Sequence, residues 1–168
     1  MKCLSYLSIS LIAMAISGTD AGARNEGKLP KNAEPLSSDE ISKIYEGHSV
    51  NYKTKKSDIF YVWLSGGKVL GIATDLKDKS SNGYAEGGWA VKENQICYNY
   101  DWFDKDRKVV FQDEKCKEWY RSGNQVWIKN TKDEDKWIGD IYKADDELKK
   151  IIQKDVVSGR FEKVKSSM

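Results

Sequence analysis

From Ser49 to Tyr142 the chain alternates apolar and polar residues in short runs separated by turn signals. This alternation constrains the fold more than any other feature. Ile59–Leu64 and Lys68–Thr74 flank Ser65-Gly66-Gly67, and Tyr84–Lys92 and Gln95–Phe103 flank Glu93-Asn94. Val109–Tyr120 and Gln125–Asn130 flank Arg121-Ser122-Gly123-Asn124, and Lys136–Tyr142 follows the charged loop Thr131–Asp135. A side-chain period of two bounded by Gly, Asn and Ser is the signature of strands joined by tight turns. No helical segment lies between the runs. A parallel pair needs a crossover of about a dozen residues or more, so these strands must be antiparallel. Strands adjacent in sequence then lie adjacent in space. The expected fold class is mainly β: a small antiparallel meander rolled into a barrel or a curved sheet.

Helical period appears only at the two ends. Ser37 and Glu40 form a capping box, in which each side chain satisfies a free amide at a helix start. Ile41, Ile44 and Tyr45 share one face, and Gly47 is a fitting stop, so one short N-terminal helix precedes the first long strand. Beyond the last strand, Asp145-Asp146-Glu147 puts negative charge at a second helix start. Leu148, Ile151, Ile152 and Val156 form its apolar stripe and Gly159 its stop. This C-terminal accessory helix is expected to pack only loosely, its stripe capping a barrel mouth or meeting a partner.

Residues 1–23 read as a signal peptide: Lys2, the apolar run Leu4–Ile16, then Ala21-Gly22-Ala23 with cleavage after Ala23. That run is shorter than the roughly 20 residues of a membrane span, so no transmembrane span is expected after cleavage. Residues 24–35, with Pro30 and Pro35, read as a flexible leader, 36–143 as the helix plus β-barrel-like domain, and 144–168 as the C-terminal helix and a frayed tail. The expected location is periplasmic or secreted. Removing the signal removes Cys3 and leaves Cys97 and Cys116. An even count in an exported chain implies a disulfide. Folding the chain back about Asp106-Arg107 sets Cys97 opposite Cys116 and Trp102 opposite Phe111. Such a bond stabilises a domain by roughly 3 kcal/mol in the chain-entropy account.

The chain offers little for catalysis. Its 28 basic and 26 acidic side chains give a net charge of +2, without the basic excess of a nucleic-acid binder. His48 is the only histidine and sits just past the helix stop. Two thiols and one imidazole do not make a zinc site. Asp101, Asp104 and Asp106 are interleaved with Lys105, Arg107 and Lys108 and lack the distal Glu of a calcium loop. Gly87-Gly88 reads as a bulge or bend beside a bulky ring, and Lys53, Lys55 and Lys56 as protection of an edge strand. No catalytic residue, metal ligand or cofactor is expected. The six tryptophans are mainly core; Trp63, Trp89 and Trp102 are the candidates to line a groove or mouth for a ligand or partner.

Gly88-Trp89 with Val91, then Ile96-Cys97-Tyr98, then Cys116-Lys117-Glu118-Trp119 form a succession that resembles the bacterial domain-of-unknown-function family number 995. Its members are short and exported, and the helix before the first long strand is similar too. The resemblance covers about residues 34–143, leaves 145–168 outside, and implies no activity. The functional expectation is a non-catalytic binding module for a partner protein or a small apolar ligand. The alternative is an envelope structural or interaction protein docking through its C-terminal helix. An enzyme using paired carboxylates ranks last.

Overall fold

A computed structural model describes residues 29–78, 82–130, 142–144 and 147–168. The expected signal peptide and most of the expected strand Lys136–Tyr142 lie outside the described residues. Ten strands and two helices are seen: β1 (Glu34–Pro35), α1 (Ser38–Tyr45), β2 (Ser49–Lys53), β3 (Ser57–Leu64), β4 (Lys68–Asp75), β5 (Asn82–Lys92), β6 (Gln95–Phe103), β7 (Val109–Ser122), β8 (Gln125–Asn130), β9 (Tyr142–Ala144), β10 (Ile151–Ile152) and α2 (Ser158–Ser166). They form one antiparallel sheet in the order β10-β2-β3-β4-β5-β6-β7-β8-β9, curled into a half-barrel. β1 pairs with β7 where β6 has ended: Gln95 faces Glu118, then Pro35 faces Tyr120 and Glu34 faces Arg121. The last two residues of the expected leader are thus part of the sheet.

The hairpin register follows the sequence pattern. Cys97 faces Cys116 and Trp102 faces Phe111, after which the register slips at Phe103, which faces Val109. Cys97 and Cys116 are disulfide-bonded, with their Cα atoms 4.0 Å apart. The turns take up the left-handed conformations their residues permit, at Gly66, Gly67 and Gly123. Gly87 is not at a bulge. It faces Tyr100 in unbroken register, and a Cβ there would lie 1.9 Å from the carbonyl oxygen of Asn99. The residue is glycine because the β5 and β6 backbones approach too closely for anything larger.

Alternation divides the side chains into two cores. The concave face gathers Val50, Tyr61, Trp63, Val69, Ala85, Ile96, Tyr98, Tyr100, Trp102, Trp119, Val126 and Ile128, and α1 adds Ile41 and Tyr45. The capping box forms as the sequence requires: the Ser37 hydroxyl accepts from the Glu40 amide, and the Glu40 carboxylate accepts from the Ser37 amide. His48 Nδ1 lies 2.9 Å from the Ile44 carbonyl oxygen, so the lone histidine closes the far end of the helix. The convex face carries a smaller core of Val62, Leu70, Ile72 and Tyr84, covered by Val157 and Phe161 of the C-terminal segment.

The C-terminal helix exists but not where the stripe placed it. Leu148–Lys150 is a single 3-10 turn, Ile151–Ile152 is a strand paired with Val50 and Ser49, and the helix begins only at Ser158. Gly159, expected as the stop, is in its first turn. Neighbouring residues of a strand point to opposite faces, so the expected stripe is split. Leu148 and Ile151 pack on the concave core, whereas Val156 packs on the convex one. The tail is not a loose accessory: Phe161 is 1% exposed and Val157 fully buried.

Candidate functional site

Two places on the half-barrel hold more than apolar packing. The first is the concave interior. The inward positions of β7 read Asp113, Lys115, Lys117, Trp119, so the same alternation that buries Trp119 also buries two charges. Glu147, buried to 4%, comes in from the C-terminal segment. Its Oε1 accepts from Lys117 Nζ at 3.2 Å, from the Tyr45 hydroxyl at 3.3 Å and from the Tyr52 hydroxyl, and Lys150 Nζ lies 3.8 Å from Oε2. The Lys117 ammonium also sits over the Tyr52 and Tyr98 rings, 5.7 and 5.8 Å from their centroids. Deeper along β6, Tyr61 donates to the Tyr100 hydroxyl at 3.1 Å, which donates to Asp113 Oδ2 at 2.8 Å. Trp102 Nε1 donates to the Tyr61 hydroxyl at 3.1 Å, and Lys115 Nζ lies 3.4 Å from Asp113 Oδ1.

The electrostatic result is a set of phenols held neutral. Burial pushes Tyr45 and Tyr52 up, and the Glu147 carboxylate beside both pushes them further. Burial is also the main cause that raises Tyr61, Tyr98 and Tyr100. None of these hydroxyls is a ready base at neutral pH. The buried acids and lysines are occupied with one another, and their chemistry is that of a latch: Glu147 pins residues 147–152 across the interior. Among the described residues, no cluster of three or more His, Cys, Asp or Glu is placed to hold a metal ion.

The second place is the arm made by the ends of β6 and β7. β8 reaches only Lys117–Ser122 of β7. Val109, Val110 and Phe111 are 48, 61 and 51% exposed, and among the described residues Val109 and Phe111 have only β6 as strand neighbour. At the tip, Asp104 Oδ1 accepts from the backbone amides of Asp106 and Lys108. Its carboxylate is therefore turned into its own loop, while Lys105, Asp106, Arg107 and Lys108 stand exposed, three cations to one acid.

The three candidate tryptophans all belong to the concave side. Trp63 is 2% exposed, wedged among Tyr45, Tyr61 and Tyr98. Trp89 is half-buried and donates its Nε1–H to the Leu64 carbonyl at 2.9 Å. Trp102 meets Tyr61 and Tyr100 edge-on and lies directly opposite Phe111. Tyr61 thus links Trp63 and Trp102, whereas Trp89 lies against the β3–β4 turn. The arm, Glu147 and Lys117 did not stand out in the sequence. The signal for Lys117 was there, in the phase of β7 set by Trp119; for Glu147 there was none, since nothing local marks a charge that docks on a distant strand.

The fold and its interior define a small disulfide-stapled antiparallel half-barrel with a tyrosine- and tryptophan-lined concave face. The chain belongs to the family described as "Protein of unknown function (DUF995)", whose model matches residues 8–157. The match runs past residue 143 to include Glu147 and β10, so the latch lies within the family region, contrary to the sequence expectation. No curated protein and no solved structure matches the chain.

Proposed function

We propose that the protein is an exported, non-catalytic binding module that engages a partner protein through the β6–β7 arm. One observation carries the reading: three consecutive large apolar residues, Val109, Val110 and Phe111, are about half exposed, whereas the other large apolar strand residues among those whose burial is described are buried or half-buried. Consecutive residues of a strand project to both faces. A flat patch on a partner covers one face only; a cleft that takes in the arm covers both. The cationic tip favours a cleft ended by carboxylates. Trp102, opposite Phe111, would form the arm's inner wall. Export is supported by the Lys2, Leu4–Ile16, Ala21-Gly22-Ala23 pattern and by the disulfide, a bond of oxidising compartments. The non-catalytic reading is supported by the mutual pairing of the buried acids and lysines. The arm is favoured over the alternative of docking through the C-terminal helix, whose Val157 and Phe161 pack on the convex core.

The test is site-specific photo-crosslinking from position 110 in the source cells. One discrete protein adduct is expected, lost on Phe111→Asp, from a chain whose first residue is Arg24. Purified Phe111→Asp should melt within a few degrees of the parent, as exposed substitutions cost about 0.5 kcal/mol or less. No adduct, an adduct that survives Phe111→Asp, or an unfolded variant would each count against the arm.

A further inference from the structure

We propose a second, separate site: a groove on the convex face beside the β10–β2 edge that takes a small amphipathic anion. β10 covers β2 only at Ser49 and Val50. Below that point the 3-10 turn Leu148–Lys150 stands off from the sheet and leaves a groove of about 560 Å³, lined by Asn51, Lys53, Asp58, Phe60, Lys149, Lys150 and Ile152. That volume lies in the range of small-molecule sites.

The chemistry of the lining selects the ligand. Phe60 and Ile152, both half-buried, supply an apolar floor. Three cations stand around it, and a fourth, Lys150, contributes only its stem. Lys53 and Lys149 are exposed and have no carboxylate partner among the described residues. Lys150 lines the groove with its stem and turns its ammonium toward Glu147 and the Tyr52 ring. The Arg160 guanidinium, from α2, lies 5.4 Å from the centre of the Phe60 ring. The single acid of the lining, Asp58, stands opposite Lys53 across the β2–β3 pair and accepts from Asn51 Nδ2 at 2.7 Å, so the cations around the groove outnumber it. A cationic rim over an apolar floor fits a carboxylate, sulfonate or phosphate carried on a flat or aliphatic body. It does not fit a neutral apolar molecule, which would gain nothing from Lys53 and Lys149. An apolar floor of only Phe60 and Ile152 is sized for a small soluble molecule rather than for a membrane surface. The basic run that reads as edge protection in the sequence is here partly the rim of a site.

The probe is 8-anilinonaphthalene-1-sulfonate, titrated by fluorescence into the folded protein, with uncharged N-phenyl-1-naphthylamine as control. Saturable binding is expected for the sulfonate, weaker by about tenfold or more for the neutral ring. The double variant Lys53→Glu/Lys149→Glu should lose about tenfold in sulfonate affinity with an unchanged melting temperature, and Phe111→Asp should lose none. Equal binding of the neutral ring, or sulfonate affinity unaffected by the charge reversal, would overturn the site. So would charge-dependent sedimentation with phosphatidylglycerol vesicles without saturable sulfonate binding, which would assign the patch to a membrane surface. Because Phe111→Asp and the groove variants are scored separately, failure of the groove leaves the arm untouched and the reverse.

Discussion

The concave and convex faces of this sheet are held by different means. The convex core is small and apolar: Val62, Leu70, Ile72 and Tyr84 under Val157 and Phe161. The concave core is larger and aromatic, and it admits Asp113, Lys117 and Glu147 among its rings. Tyrosine accounts for the difference. A phenol packs like phenylalanine yet offers a hydroxyl that can satisfy a buried charge, so Tyr45, Tyr52 and Tyr100 let carboxylates sit where leucine would leave them unpaired. Both faces nevertheless depend on the same C-terminal segment, which sends Glu147 to one side and Phe161 to the other.

The largest test removes that shared dependence. Ending the chain after Ala144 deletes β10, the counter-charge of Lys117 and the cover of the convex core together. No cooperative thermal transition is expected, by circular dichroism or calorimetry. A truncated protein that melts like the parent would mean that neither face needs the tail.

Alkaline titration addresses the concave face alone. Tyr45, Tyr52, Tyr61, Tyr98 and Tyr100 are each raised above the ordinary phenol value of about 10. The folded state therefore favours the protonated phenols. Their contribution is fully present below about pH 10 and is lost as pH climbs from there toward the folded values. Each such group costs about 1.4 kcal/mol per pH unit in that window, and five together cost roughly 7. Unfolding should be abrupt, with most tyrosinate absorbance appearing at the same pH as the loss of structure. Gradual phenol ionisation in a protein that stays folded would show that these hydroxyls are open to water.

A substitution pair then sharpens the contrast. Glu147→Ala leaves Lys117 buried without its counter-ion and should cost about 3–5 kcal/mol in a denaturant melt. Phe161→Ala should cost a similar amount, about 3–5 kcal/mol, through the cavity it opens. The two differ in rescue. Lys117→Met added to Glu147→Leu should recover most of the loss, because a well-packed apolar pair replaces a buried ion pair at little cost. No single change on the concave face should rescue Phe161→Ala. If the double replacement is as unstable as Glu147→Ala, the charges matter through some contact other than each other.

Much of this architecture is legible in the sequence. The alternation around Asp106-Arg107 gave Cys97–Cys116 and Trp102–Phe111 directly, because side-chain period and turn position together fix a hairpin's register. Ser37 and Glu40 gave the helix start for an equally local reason. The tail departs from its helical pattern because Leu148, Ile151 and Ile152 satisfy a helical spacing and a short strand equally well; the partner strand β2, about a hundred residues earlier, decides. The buried charges and the arm were hidden for the same reason. The phase of Trp119 points Lys117 inward, but its cover by Glu147 and the exposure of Phe111 depend on how far the tail and β8 extend, and no local pattern encodes that.

The tail's placement has a consequence in time. Ser49 donates its amide to Lys154 and accepts at its hydroxyl from Val156, so the first strand after α1 is completed by residues made more than a hundred positions later. Contacts of such long separation form late, after loop-closure entropy has been met. While the chain is emerging from a ribosome, β2 to β8 can form hairpins, but Lys117 still lacks Glu147 and β2 still lacks β10. Folding to the finished state must wait until residues 147–161 have been made. A chain clipped or stalled before Glu147 is then marked as incomplete by its own unpaired lysine and uncovered convex face, open to any protease that inspects it.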